Sequence, residues 1–343
     1  MRKISRRSFI KAATFTAAAA ALTACGGSSS STTTASSTAA SAAADNTPSN
    51  KGTGVTLTVY TNSETDGRDE WLIERAAQDG FKVQVVGAGA ADTQNRLLAE
   101  KASPIADVVF GLNDDEGYYH AIVKQAILLV YDQNQLTEDQ APTDWPDLWT
   151  KPEFDKKYEY LTSLAGGTVR NVIAGILTRY ADPNGDLGIA QEGWDAIAEY
   201  YKHGVPNEDG VDLYAQIASE NSTVVCGQMW SSGVETRDQQ YGVKTGYAIP
   251  DVGVPYAVEG VAIVNGTKNE EEAQRFVNWF GSAQIQGEWA EVFSTLPANT
   301  NAVGKANEFN QTIAELPAQQ IDWALVAQNI DAWCEKIMLE YMP

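Results

Sequence analysis

Between Val55 and Phe110 the chain alternates β-rich runs with amphipathic helical stretches, and that alternation restricts its fold more than any other feature. Val55-Thr56-Leu57-Thr58-Val59-Tyr60 is β-branched and alternating, so it reads as a strand. The polar Thr61-Asn62-Ser63-Glu64 forms a loop, and Trp71 to Gln78 has helical spacing. Phe81 to Val86 is a second strand, closed by Gly87-Ala88-Gly89-Ala90. Thr93 to Lys101 is an amphipathic helix and Ala106 to Phe110 a third, buried strand. Strand, helix, strand, helix, strand at this spacing is a βαβαβ unit, which implies an α/β fold with a parallel sheet. Ligands of such sheets sit at the carboxyl ends of the strands.

Further along, Ala121 to Tyr131 is an apolar, strand-like run, followed by turns and short helices around Trp145-Pro146-Asp147-Leu148-Trp149. Gly166-Gly167-Thr168 opens a long helix reaching Tyr180, and Trp194 to Tyr201 is another. Asn221 to Trp230 contains a short strand, and an extended segment from Pro250 ends in a strand at Gly260 to Val264. Glu270 to Phe280 and Ile285 to Phe293 read as helices, with Leu296-Pro297-Ala298-Asn299 leading to the C-terminal helices. No internal repeat is visible.

The first 54 residues stand apart from this pattern. Ser5-Arg6-Arg7-Ser8-Phe9-Ile10-Lys11, followed by an alanine-rich apolar stretch, resembles a twin-arginine export signal. Leu22-Thr23-Ala24-Cys25 resembles a lipoprotein cleavage box. A plain alanine-rich helix that happened to end in Cys would not carry these parts in this order. The apolar stretch is well short of the roughly 20 residues a membrane span needs. Cys25 is therefore expected to become the lipidated first residue of an exported chain, tethered at the outer face of the cytoplasmic membrane. Residues 26–54 are almost entirely Gly, Ser, Thr, Ala and Asn, with nothing to bury, and read as a flexible linker of roughly 30 Å root-mean-square reach.

The remaining body, 55–343, is long enough for two lobes with a substantial core. The formal charge is -21, and -26 once the five basic residues of the signal are gone. Such acidity argues against nucleic acid and anionic headgroups as partners. Cys226 and Cys334 are expected to be buried free thiols, although export would permit a disulfide. Only His120 and His203 are present, each isolated, so histidine-based metal or triad chemistry has little to work with. No Gly-x-Ser-x-Gly elbow or phosphate-binding loop occurs, so the chain does not read as an enzyme, and no cofactor or metal is expected.

The order of elements resembles the type II solute-binding proteins of ABC importers, in the branch that includes iron(III), thiamine, phosphonate and hexose-phosphate binders. The stretches that carry the likeness are Ala99-Glu100-Lys101 through Ala106-Asp107-Val108-Val109, Thr143-Asp144-Trp145-Pro146-Asp147-Leu148, and Glu259 through Asn269 with Ala273 and Phe276. The last stretch is the most specific, because it reads as a strand returning into lobe one and feeding an Asn-capped helix. The resemblance implies a two-lobed α/β fold with mixed, mostly parallel sheets and a ligand cleft between the lobes. It implies lobe one from 55–125 and 260–343 and lobe two from 126–259, with hinges near Ala126 to Tyr131 and Tyr256 to Val261. One departure is visible: Gly111 to Gly117 is all that separates the third strand from the crossover strand, where the branch usually carries a few dozen residues.

Carried onto this chain, the resemblance places Thr61, Asn62 and Glu259 in the cleft. Gly89 and Ala90 would open one helix toward a ligand, and Thr168, with Arg170 in the first turn, would open another in lobe two. Helix N-termini carry about half a positive charge, so two of them facing a cleft suit a phosphate, phosphonate or carboxylate. Each Gly group is equally consistent with a plain turn or cap. Trp230, Ser231 and Ser232 end a lobe-two strand, where a Trp can stack on a sugar or flat ring or belong to the core. Asn113 and Asp114 resemble a polar pair of thiamine binders. Iron is disfavoured, because the branch's iron binders use adjacent tyrosines after that strand and this chain has Val234-Glu235-Thr236-Arg237. The doublets Tyr118-Tyr119 and Tyr200-Tyr201 read as packing. The expected function is a monomeric, lipid-anchored receptor that delivers a small phosphorylated or anionic solute to a membrane permease. A receptor for a cation such as thiamine is the alternative.

Overall fold

The computed structural model describes residues 53–113 and 119–342. The export signal, Cys25 and the linker to residue 52 lie outside the described residues, as do Asp114 and Tyr118.

Strands β1 (Thr56–Thr61), β2 (Lys82–Gly87) and β3 (Val108–Asn113) alternate with helices α1 (Arg68–Gln78) and α2 (Ala90–Glu100). β1 pairs in parallel with both β2 and β3, in the order β3-β1-β2. The β-branched pattern of Thr56–Tyr60 thus forms a central strand whose Leu57 and Val59 are fully buried.

Two further strands extend this sheet into the rest of the molecule. β4 (His120–Asp132) is thirteen residues long, and β10 (Tyr256–Ile263) lies between β3 and β4, antiparallel to both. The first half of β4 pairs with β10 and with β11 (Leu296–Pro297). The second half, Ile127–Asp132, pairs with β8 (Cys226–Trp230) and β9 (Thr245–Tyr247). One strand therefore belongs to two sheets, and the connection between the lobes is made of continuous hydrogen-bonded backbone. Parallel pairing is a smaller share of the fold than expected, because β4 and β10 both run against every strand they touch.

β5 (Glu159–Tyr160) and β7 (Val205–Pro206) form a parallel pair, with β6 (Ala181–Asp186) between them in sequence. α3 (Gly167–Leu177) and α4 (Gln191–His203) cover one face of lobe two. α5 (Val234–Tyr241) follows β8, and α6 (Glu270–Phe280) and α7 (Ala283–Phe293) follow β10.

Lobe one closes around Leu57, Val59, Phe81, Val108 and Phe110 of the sheet and Phe276, Trp279, Phe280 and Trp289 of α6 and α7. Its rings pack edge to face, with Phe110 4.8 Å from Phe280 and 5.6 Å from Trp289, a geometry that aromatic quadrupoles favour.

The C-terminal helices are placed differently from the expected boundary. Ile313 of α8 (Glu308–Ala314) joins a lobe-two cluster with Leu128, Val130 and Met229. Val326, Ile330, Trp333 and Ile337 of α9 (Trp323–Glu340) join Leu129, Tyr158, Val172 and Trp194 on the other face. Residues 308–342 thus complete lobe two rather than lobe one, because its sheet would otherwise expose apolar area on both faces.

Cys226 and Cys334 are buried and free, and burial pushes their thiols up to about 12 and about 11. Tyr200 and Tyr201 lie in α4 within the same core, as the packing expectation holds, while Tyr119 packs at the edge of a small lobe-one cluster. Asn269 occupies the N-cap position of α6, yet its side chain does not cap the helix. Its Nδ2 donates instead to Asp107 Oδ1 (3.0 Å), tying the helix start to the segment that leads into β3. Among the described residues, no helix is long and apolar enough to cross a membrane.

Candidate functional site

The carboxyl ends of β1, β2 and β3 form one edge of the lobe-one sheet. Thr61 at the end of β1 is buried, its carbonyl accepting from Ala88 N (2.9 Å) and its Oγ1 from Ser63 N (2.9 Å). These bonds hold the loop after β1 against the turn before α2. Gly89 is the N-cap of α2 and Ala90 its first residue, but Asp92 in the first turn already supplies a negative charge to that N-terminus.

Asn62 and Glu64 spread from this loop in opposite directions. Gly111 in β3 has φ +96°, and a Cβ there would collide with Asn62 Oδ1. A Cβ on Gly87, at the end of β2, would fall 2.5 Å from Glu64 Cγ. Two glycines therefore leave room for two polar side chains to lie back on the sheet edge. Asn62 Oδ1 and Glu64 Oε2 are both buried, and neither has a hydrogen-bond partner among the described residues.

Glu259 stands on the neighbouring β10, opposite Val123 of β4, where the register of β10 slips. Its Oε2 accepts from Ser63 Oγ (3.0 Å) and its Oε1 from Gln125 Nε2 (2.6 Å). Burial raises its pKa, against the bonds from Gln125 and Ser63 and the field of Arg68, which favour the charged form. Gln125 Oε1 in turn accepts from Ser232 Oγ (2.7 Å), and Arg68 Nη2 donates to the same Ser232 oxygen (3.5 Å). Arg68 is buried at the first position of α1, its guanidinium 5.4 Å from the Phe293 ring centre and 3.6 Å from Asp66. Ser63, Glu259, Gln125, Ser232 and Arg68 thus form a continuous polar seam across the strands that join the lobes.

In lobe two, Tyr158 bridges in parallel to Cys226, so β5 and β8 run the same way and end on one edge. α3 follows β5, and the single 3-10 turn Ser231–Gly233 follows β8, so Thr168 and Trp230–Ser232 share that edge. Ser231 Oγ accepts from Ala126 N (3.3 Å), fixing the turn to β4. The Arg237 guanidinium lies 4.6 Å from the half-buried Trp230 ring, so that ring already carries a cation. The first turn of α3 holds no acid, and a Cβ on Gly167 would meet nothing within 4 Å. Arg170 is engaged elsewhere, its Nε donating to the Leu164 carbonyl (3.0 Å) and its Nη1 to Asp331 (2.9 Å).

The structure therefore brings Thr61, Asn62, Glu259, Ser231 and Ser232 together, and sets Gly89 and Ala90 beside them. Thr168 shares an edge with Trp230, while Arg170 points to α9. Asn113 ends β3 opposite Glu259, and Asp114 lies outside the described residues. Ser63, Glu64, Arg68 and Gln125 were not legible as site residues. Gln125 gave the one available signal, an uncharged amide beside Lys124 in the middle of a largely apolar strand.

Two α/β lobes, joined by shared strands and facing each other through polar strand ends, define a type II periplasmic binding protein. Residues 105–318 match the family described as bacterial extracellular solute-binding protein, and the chain belongs to that family. It is accordingly a solute-binding protein rather than an enzyme. It is 31% identical to a probable ABC transporter periplasmic-binding protein of Sinorhizobium fredii, over 83% of this chain and 86% of that one. Its fold is similar to that of the periplasmic binding protein AfuA from Actinobacillus pleuropneumoniae, solved with fructose-6-phosphate bound. That likeness has a TM-score of 0.67 at 17% identity and covers 83% of this chain and 98% of that one. The ferric binding protein from Campylobacter jejuni is similar at a TM-score of 0.66 and 17% identity, covering 81% and 97%.

Proposed function

We propose that this chain is the extracytoplasmic receptor of an ABC importer, held to the outer face of the membrane through lipid on Cys25. Its solute on this reading is a small phosphorylated or otherwise anionic molecule, captured by closure of the lobes about β4 and β10 and handed to a permease. The observation that carries the reading is the polar seam from Ser63 to Arg68. It runs across the joining strands and ends at a buried cation, Arg68. The name of the Sinorhizobium relative supports the transporter assignment, and the sugar phosphate in the AfuA structure supports the solute class. The domain division follows the cores, with lobe two completed by residues 308–342.

A receptor for an organic cation such as thiamine is the second reading, favoured by the carboxylates of Glu64 and Glu259 on the lobe-one side. Thermal unfolding of the full-length chain against hexose phosphates, phosphonates, thiamine, polyamines and ferric citrate separates the two. At about 100 times its dissociation constant a ligand adds roughly 2.7 kcal/mol, a rise of several degrees for a body of this size. A rise with phosphorylated solutes and not with thiamine is the expected result. A rise with thiamine or a polyamine alone overturns the anionic solute.

A further inference from the structure

Asn62, Glu64 and Glu259 place acceptor oxygens in a row along the carboxyl edge of lobe one. Glu64 lies over the end of β2, Asn62 over β3, and Glu259 on β10. Asn62 Oδ1 and Glu64 Oε2 are buried without a partner among the described residues. A buried polar atom left unpaired costs about 1–3 kcal/mol, so this arrangement penalises the unliganded chain. Gly87 and Gly111 clear the space in which both side chains lie, since a Cβ at either glycine would displace one of them.

What such a row receives is a set of hydrogen-bond donors. An organic cation fits poorly. The Trp230 ring that would stack on it already carries the Arg237 guanidinium, and Arg68 sits in the same seam as a buried like charge. Neutral hydroxyls satisfy carboxylate and carboxamide acceptors alike and are indifferent to Arg68. We infer that Asn62 and Glu64 are specificity-determining residues that read adjacent hydroxyl groups, so that the solute is a phosphorylated polyol or sugar and not a bare oxyanion. This rests on the receptor reading above for the phosphate end of the solute.

The test is calorimetric titration of the full-length chain and its Asn62→Ala, Glu64→Ala and double variants. The probes are fructose 6-phosphate, methyl phosphate, fructose and thiamine. Gly87→Ala, which keeps both polar side chains but crowds Glu64 off the sheet edge, is the companion variant. A hydrogen bond to the Glu64 carboxylate is worth roughly tenfold and one to the neutral Asn62 carboxamide roughly threefold, so fructose 6-phosphate should bind about thirtyfold or more tighter than methyl phosphate. Glu64→Ala and Gly87→Ala should cut that ratio by about tenfold, and Asn62→Ala by about threefold. The ligand-free Asn62→Ala and Glu64→Ala chains should melt no lower than the parent, because the oxygens removed have no partner to lose.

A ratio unchanged in the double variant overturns the inference while leaving an anion receptor standing. Fructose binding that the variants abolish, without any phosphate preference, keeps the acceptor row and removes the anion reading. Thiamine binding that Glu64→Ala weakens shows that the row serves a cation and overturns the inference. Binding to none of the four probes overturns both.

Discussion

Glu159 is a carboxyl group folded into lobe two at 4% exposure, its Oε2 without a partner. Burial raises its pKa to about 7, with the nearby Asp212 charge adding to the shift. The folded chain therefore holds this proton more tightly than the unfolded chain, whose glutamate ionises near the usual 4.5. The resulting stability is fully present below the unfolded value and is lost as pH rises through about 7. A shift of this size corresponds to about 3 kcal/mol. Glu159→Gln is expected to match the parent near pH 4, below the unfolded value, and to exceed it by up to about 3 kcal/mol at pH 8. Urea unfolding across that range checks the sign; a constant difference between the two proteins refutes it. Neither Glu159 nor Gln125 was legible as a special residue, since each is an ordinary polar residue in sequence. Their character comes from which strands surround them.

Among the elements, α6 shows how a local rule yields to a tertiary contact. Asn269 before Glu270-Glu271-Glu272 has every appearance of an N-cap, and in sequence that is what it is. In the fold its amide donates to Asp107, which also accepts from Thr58 N (2.8 Å) and from Thr267 Oγ1. Asp is as good an N-cap as Asn, so Asn269→Asp would be neutral if capping were its role. It is expected instead to destabilise by about 1–2 kcal/mol at pH 7, because a second carboxylate replaces the donor to Asp107. Denaturant unfolding at pH 7 decides between the two. The elements themselves were read well where periodicity was strong. The strands around Thr56–Thr61 and Val108–Asn113 and the helix Glu270–Phe280 fall where the pattern put them, because the strands are β-rich, largely apolar runs buried within the sheet and the helix buries one face. The weakly patterned stretch between Tyr131 and Gly166 gave no such signal, and its short elements are set by contacts.

For the whole molecule, the C-terminal helices decide what a lobe is. Trp333 of α9 is fully buried in the lobe-two core, its Nε1 donating to the Leu187 carbonyl (3.1 Å). Trp333→Ala is expected to cost about 3–5 kcal/mol. Its unfolding should expose the Tyr158 and Tyr200 cluster first and leave the lobe-one aromatic core protected, as hydrogen exchange of β1 and β8 would report. Loss of protection in β1 alone would contradict the placement of α9. The βαβαβ order, the buried faces of its strands and the two-lobed class were determined by the sequence itself, because hydrophobic periodicity and β-branched runs act over a few residues. The export signal and linker stay expectations from order and composition, on residues outside the described ones. Only the tertiary structure decided that residues 308–342 close lobe two, that Arg170 serves Asp331, and that Ser63, Gln125, Ser232 and Arg68 meet. Those facts depend on contacts between segments 100 or more residues apart (Ser63 and Glu259 are 196 apart), whose partners no local pattern encodes.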